Sequence, residues 1–439
     1  MKVGILGGGL SGISIAYFLQ NVAKIKRIEI LEREGEPGGL CRSFNVRGIN
    51  CDIGPHVIFS KDDEMLDLMI SVLGENVCRI KRSNKIYYKG RFIKYPLEND
   101  LSALPEEERN FCVKTFLNNP YANIEAKNLW QYFLKTFGEG MTDIYFRPYN
   151  NKIWKYDVSL MDTQMIDRIP NPPKTDIMKS VSGISTEGYL HQLYFFYPRQ
   201  GGIHALIKAF QARFGDKIRV IVDSEVLALR RLEGLWRVTK GKGVSEDYDL
   251  VISTIPIPSL VRLCNGDMPS DVIQAASHLK YNSIMITVVG VDEDYIGDHF
   301  AVLVPDEDII FHRVSKLNFL GEAYHHPATS LLMVEITYRK NDPVDKMSAA
   351  DLREKIIVGL KKVNLIGKTA RIHFMETKKF EYAYIIYDLN HKRNVDLVRK
   401  YFYDQGVHLC GRFGEFEYLN MDSVIRHAKV LSRDIEKRI

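Results

Sequence analysis

Cysteine is scarce and poorly spaced for chemistry. The 439-residue chain has six, Cys41, Cys51, Cys78, Cys112, Cys264 and Cys410, with no CxxC pair among them. That spacing excludes a zinc ribbon and a dithiol redox motif. It leaves reduced thiols in a cytoplasmic protein, with no metal site, as the expectation. No run of eighteen uninterrupted apolar residues occurs, so no integral membrane segment is expected. A surplus of one charge is nearly absent: 60 basic residues face 55 acidic ones, a net of +5. There is no basic block of the kind nucleic-acid binding requires. Internal repeats and low-complexity segments are missing too. The apolar N-terminus is laced with glycines and runs into a fold motif, unlike a signal peptide. A chain of this length with 45% hydrophobic residues is expected to fold as two or three domains without staples.

What is present begins at once. "KVGIL" is a short β-branched run, "GGGLSG" breaks it, "ISIAYFLQ" continues as a helix, and "RIEILE" is a second strand. Gly7, Gly9 and Gly12 form GxGxxG. The first glycine allows the tight turn, the second lets backbone approach a pyrophosphate, and the third lets helix pack on strand. Leu10 and Ser11 lie inside this loop. Glu32, at the end of the second strand, is spaced to accept hydrogen bonds from a ribose diol, and it disfavours a 2′-phosphate. Arg33 follows it. Gly38, Gly39 and Leu40, in "EPGGLCRSF", mark a second close backbone approach, which favours FAD over NAD.

The rest of the chain changes character twice. From Asp63 to Tyr197, helix-period segments such as "NLWQYFLKTF" dominate. After a β-ribbon and the buried strand "YDLVISTIP", strand-like runs from "SIMITVVGVDE" to "SLLMVEITYR" suggest an antiparallel sheet. The expected fold is α/β: a discontinuous Rossmann-like FAD-binding domain (1–62, 198–265 and 371–439), an inserted mainly helical substrate domain (63–197) and an antiparallel β-sheet domain (266–370).

The "EPGGLCRSF" motif and the C-terminal "GRFGEFEYLNMDSVIRHA" resemble those of the FAD-dependent amine oxidase and protoporphyrinogen oxidase superfamily. In order along the chain, "GPHVIFS", "RPYNNKIW", "DRIP", "FHRVS", "YAYIIYD" and "GRFGEFEYLNMD" are similar to motifs of the UDP-galactopyranose mutase family. The resemblance covers most of the chain. It implies an FAD enzyme, active in its reduced form, that interconverts pyranose and furanose forms of a nucleotide sugar. There flavin N5 attacks the anomeric carbon and expels the nucleoside diphosphate, with no net redox change. The implied partners are a nucleoside-diphosphate sugar and a reductant such as NAD(P)H or a reductase. The oligomeric state stays open. An FAD-dependent oxidoreductase of the amine oxidase or protoporphyrinogen oxidase type remains the alternative, since the superfamily shares the flavin frame.

The resemblance also implies roles residue by residue. Arg168 and Arg313 match two diphosphate-binding arginines from different domains. Tyr384 and Tyr418 match tyrosines near the diphosphate, where phenols donate hydrogen bonds without adding charge. Tyr149 matches a residue stacked on the base, and Trp154 one lining the sugar pocket. His56 matches a histidine beside the flavin, counted with Arg168 and Arg313 as catalytic. Val226 matches an adenine contact. Gly411, Arg412, Met421 and Asp422 match the terminal loop and helix start that close over the flavin. Arg412 either faces the cofactor or holds the loop through backbone carbonyls.

Overall fold

A five-stranded parallel sheet collects its strands from distant parts of the chain. In spatial order they are Val407–Leu409, Leu250–Ser253, Lys2–Leu6, Arg27–Leu31 and Ile218–Ile221. The computed structural model describes residues 1–166, 169, 171–184, 186–187, 193–264, 268–327 and 329–439, with the Lys242 side chain left aside. Strand alternation explains why both sheet faces are covered. Val3, Ile5, Ile28 and Ile30 face the helices Leu10–Leu19, His204–Gln211 and Met421–Arg438. Leu6, Leu31 and Val251 belong to a second core with Trp236, Val238 and Tyr248 of a three-stranded meander, Val226–Leu232, Leu235–Lys240 and Val244–Tyr248. Tyr248 lies where a side chain on Gly4 would stand, 2.9 Å from that virtual Cβ.

A seven-stranded sheet makes the second body. Its order is Ile372–Ile386, Lys280–Val291, Ser330–Tyr338, Arg313–Lys316, Ala301–Leu303, Asn84–Tyr88 and Arg91–Lys94. All pairings are antiparallel except that of Ala301–Leu303 with Asn84–Tyr88. This sheet crosses two of the boundaries expected from sequence. The hairpin Asn84–Lys94 comes from the segment read as helical. "NKIYYKGRFIK" carries strand alternation, and Lys89 and Gly90, with φ of 45° and 82°, make the two-residue turn that joins its arms. Ile372–Ile386 comes from the segment assigned to the FAD domain. Its outer residues are exposed and charged, so it reads weakly as a strand and is held by its neighbour Lys280–Val291.

The inserted region also holds an antiparallel pair, Cys78–Lys81 with Tyr194–Tyr197, beside the helices Asp63–Leu73, Glu106–Leu117, Leu129–Met141, Arg147–Trp154 and Lys174–Val181. A wide turn at Thr142–Phe146 joins the third and fourth of these. It rotates Tyr149 and Trp154 toward the seven-stranded sheet, where Thr337 Oγ1 donates to the carbonyl of Lys152 at 3.0 Å. Asn282 Nδ2 donates to the carbonyl of Ile153 at 2.7 Å. The candidate substrate residues therefore sit where helices, sheet and flavin-type domain meet. Among the described residues, no helix is long and apolar enough to cross a membrane.

Candidate active site

The first strand ends at Leu6, just before Gly7, and the helix Leu10–Leu19 starts from Gly9 without a side-chain cap. Its first N–H groups are left for a ligand, which is the arrangement that binds phosphate. The second glycine pair locks onto the first. Gly38 N donates to the Gly8 carbonyl at 2.8 Å, and Gly9 and Gly38 form a parallel bridge. Gly39 has φ +56°, and a Cβ on it would stand 3.1 Å from the Gly9 Cα. Any side chain there would separate the two loops. Glu32 is buried at the floor, where Oε2 accepts from Gly8 N at 2.8 Å and Oε1 from Glu34 N at 3.0 Å. Each oxygen keeps a lone pair for a ligand hydroxyl.

These loops border a cleft of about 690 Å³. Of the cofactor residues expected from sequence, Gly7, Gly9, Leu10, Ser11, Glu32, Arg33, Gly38, Gly39, Leu40, His56, Val226, Arg412 and Met421 line it. Gly12, Gly411 and Asp422 do not. Gly12 packs its backbone on the Gly7 carbonyl, which a Cβ would overlap at 2.0 Å. Gly411 donates its N–H to Glu415 Oε2 at 2.7 Å. Asp422 accepts from the Ser60 hydroxyl and from Ser423 N, fastening the last helix to the loop after "GPHVIF". Arg412 takes the second of its two readings: Nε and Nη2 donate to the Leu419 carbonyl at 2.8 and 2.6 Å, and its guanidinium stacks 4.6 Å from the Tyr418 ring centroid. It still borders the cleft. A length of cleft with an acid at one end, a glycine cradle in the middle and aromatic residues at the other fits FAD.

Sequence reasoning passed over Ser224 and Glu225, the "TIP" residues Thr254, Ile255 and Pro256, and the Lys379–Tyr382 stretch, all of which line the same cleft. The "TIP" signal was available. It follows a buried parallel strand, and ligands bind at the carboxyl ends of such strands.

Beyond His56 and Arg412 the cleft meets a group of aromatic side chains. Trp154 stands edge-on to both Tyr384 and Tyr418, each at 5.8 Å between centroids, and those two rings are 5.7 Å apart. Tyr149 stacks on Tyr145 at 5.3 Å and 13°. Burial pushes the Tyr149 and Tyr384 phenols up, against the pull of Arg313, so both remain neutral donors at neutral pH. Arg313 is paired with Glu335, Nη2 to Oε2 at 2.5 Å, with a second contact from Nε to Oε1. Burial opposes the charge on Arg313, and the Glu335 carboxylate outweighs it, so the arginine is held protonated. His56 is pushed down to about 4, first by burial and then by Arg412, with a weaker contribution from Arg313. Its Nδ1 lies 3.1 Å from the Gly54 carbonyl. A carbonyl only accepts, so Nδ1 carries the proton and Nε2 is left as an acceptor. The structure thus brings together His56, Tyr149, Trp154, Arg313, Tyr384 and Tyr418. Arg168 lies outside the described residues. Among the described residues no group of three potential ligands could hold a metal ion.

The family model for flavin-containing amine oxidoreductases matches residues 10–429. The chain belongs to that family of flavin-dependent enzymes. It is similar over its whole length, with a TM-score of 0.89 and 23% identity, to a crystal structure of reduced UDP-galactopyranose mutase, covering 96% of that chain. Agreement at that identity establishes the shared fold. Among curated relatives, coproporphyrinogen III oxidase of Staphylococcus aureus is 26% identical over 126 residues, 28% of this chain and 27% of that protein. Protoporphyrinogen oxidase of Dictyostelium discoideum is 20% identical over 350 residues, 65% of each chain. The matches thus span about a quarter and just under two thirds of those relatives.

Proposed function

We propose that the protein is an FAD-dependent nucleotide-sugar mutase, interconverting pyranose and furanose forms in the manner of UDP-galactopyranose mutase. The observation that carries this reading is the polar and aromatic group at the end of the dinucleotide cleft. A guanidinium, two phenols, an indole and a stacked tyrosine pair converge there. An amine oxidase has no use for a cation in that position, whereas the carboxylates of a porphyrinogen would accept one. Reduced flavin would supply the nucleophile toward the anomeric carbon.

The chain's own residues do the rest. Arg313 meets diphosphate charge both in the bound substrate and as the leaving group departs. Tyr384 and Tyr418 donate hydrogen bonds to phosphate oxygens without adding charge. Tyr149 offers an aromatic face to the base, and Trp154 covers the C–H face of the sugar. His56, neutral and with Nε2 free to accept, holds a proton-acceptor site at the cofactor edge without a competing positive charge. Arg412 keeps the loop carbonyls of Leu419 and Ala383 in place.

The porphyrinogen oxidase names among the relatives favour a second reading, a flavin oxidase that consumes oxygen with each turnover. One experiment separates them. Dithionite-reduced protein is offered UDP-, dTDP- and GDP-pyranoses, and oxidised protein is offered porphyrinogens and amines with oxygen uptake recorded. Furanose product from the reduced protein alone supports the mutase. Stoichiometric oxygen consumption without any furanose would falsify it.

A further inference from the structure

Glu335 stands out as a carboxylate, wholly withdrawn from solvent, in the otherwise apolar strand "SLLMVEITY". It is the direct cross-strand partner of Arg313, so both side chains project from the same face. Its two oxygens take the Nε and Nη2 edge of the guanidinium in a fork. That leaves the Nη1 edge of Arg313 outside the fork, on a side chain about a quarter exposed whose charge is felt by the Tyr149 and Tyr384 phenols. Glu335 also lies beneath the loop carrying His56. A Cβ on Gly54, at φ +79°, would stand 3.3 Å from Glu335 Oε2, so the loop closes on the carboxylate only because position 54 has no side chain.

Two effects follow. The fork fixes the direction of the remaining guanidinium edge more firmly than packing alone would. It also cancels most of the positive charge that a diphosphate would otherwise meet. In a site withdrawn from water such cancellation is poorly screened. A mutase that expels its nucleotide and then recaptures it gains nothing from holding the free nucleotide tightly, since binding ground state and transition state alike does not speed the chemical step.

We propose that Glu335 is a positioning residue that aims the free edge of Arg313 at the diphosphate and weakens its grip on the released nucleotide. The inference rests on the nucleotide-sugar reading of this cleft.

The test is nucleotide binding by calorimetry on flavin-loaded protein, with UDP, dTDP and GDP as probes, alongside turnover. Glu335→Gln removes the charge while keeping the shape. It should bind the preferred nucleoside diphosphate about tenfold more tightly, with a steeper salt dependence, while turnover falls. The thermal stabilisation that the nucleotide gives should grow accordingly. Glu335→Asp keeps the charge and shortens the reach, so nucleotide affinity should stay within about twofold while turnover drops at least tenfold. The aspartate variant therefore tests the positioning role even if the glutamine variant loses its flavin. Weaker or unchanged binding in Glu335→Gln, or equal losses of affinity and turnover in Glu335→Asp, overturns the proposal. If no nucleoside diphosphate binds the wild-type protein, the nucleotide-sugar reading itself falls and takes this inference with it. If one binds and the variants behave otherwise, only the role of Glu335 falls.

Discussion

The two halves of the candidate site are built on opposite plans. The dinucleotide half is made largely of backbone: glycine loops that touch each other, an uncapped helix start and one carboxylate held by two N–H groups. The substrate half is made of side chains carried by four separate elements, a helix end at Trp154, two sheet strands at Arg313 and Tyr384, and the terminal loop at Tyr418. Backbone sites tolerate changes in most side chains but not added bulk. Side-chain sites depend on each partner being satisfied by another. Substitutions should therefore fail differently in the two halves.

The largest effect should come from breaking the buried ion pair. Arg313→Met leaves Glu335 buried and unpaired and should lower stability by about 3–5 kcal/mol. Adding Glu335→Leu should recover most of that loss, read as the shift of the urea midpoint. An Arg313→Met variant as stable as wild type would show that Glu335 needs no partner there. Next, Glu32→Gln weakens the charge-assisted acceptor at the ribose end and should reduce FAD retention by about 1.5–3 kcal/mol, measured by equilibrium dialysis. Nucleotide binding should be untouched when FAD is saturating, which separates the two halves. Smaller still, Tyr384→Phe removes one neutral donor and should raise the KM for a nucleotide sugar by about 0.5–1.5 kcal/mol with flavin content unchanged. At neutral pH the smallest expected effect is that of His56, whose charge does not change there. A folded pKa near 4 for His56, below its usual value, means that the unfolded chain binds the extra proton between about 4 and 6.5. This imidazole therefore costs stability as pH falls through that window and costs nothing above it. It should contribute no limb to the turnover profile between pH 5 and 8. A limb there that vanishes in His56→Asn would mean the imidazole is charged.

The backbone half was legible because its requirements are local. GxGxxG, the acid at position 32 and the Gly38–Gly39 pair fall within the first forty residues, and each constrains which residue types can serve. The "TIP" loop was missed because its role depends on which strand it follows in space. In the substrate half, motifs named aromatics that the structure brings together, yet nothing local linked Arg313 to Glu335. Their pairing is a matter of strand register between segments that read only as apolar runs. The hairpin Asn84–Lys94 was lost inside a helical stretch for a similar reason, since its place at the far edge of the sheet depends on pairing with Ala301–Leu303. Arg412 shows a limit of another kind. Its position was foreseen, but whether it met a ligand or carbonyls depended on the path of the Leu419 backbone.

The order of strands in the parallel sheet bears on how the protein is made. One of its two edge strands is Val407–Leu409, and the helix Met421–Arg438 packs on the helix that follows Gly9. During translation, the glycine loops emerge some four hundred residues before the helix Met421–Arg438 that packs on theirs. The opening strand Lys2–Leu6 gains Arg27–Leu31 early but waits for Leu250–Ser253 on its other edge, a long-range closure of the kind that folds slowly. Cofactor capture then becomes a late event that only a chain reaching the last helix can complete, so prematurely terminated products should emerge colourless and open to proteolysis.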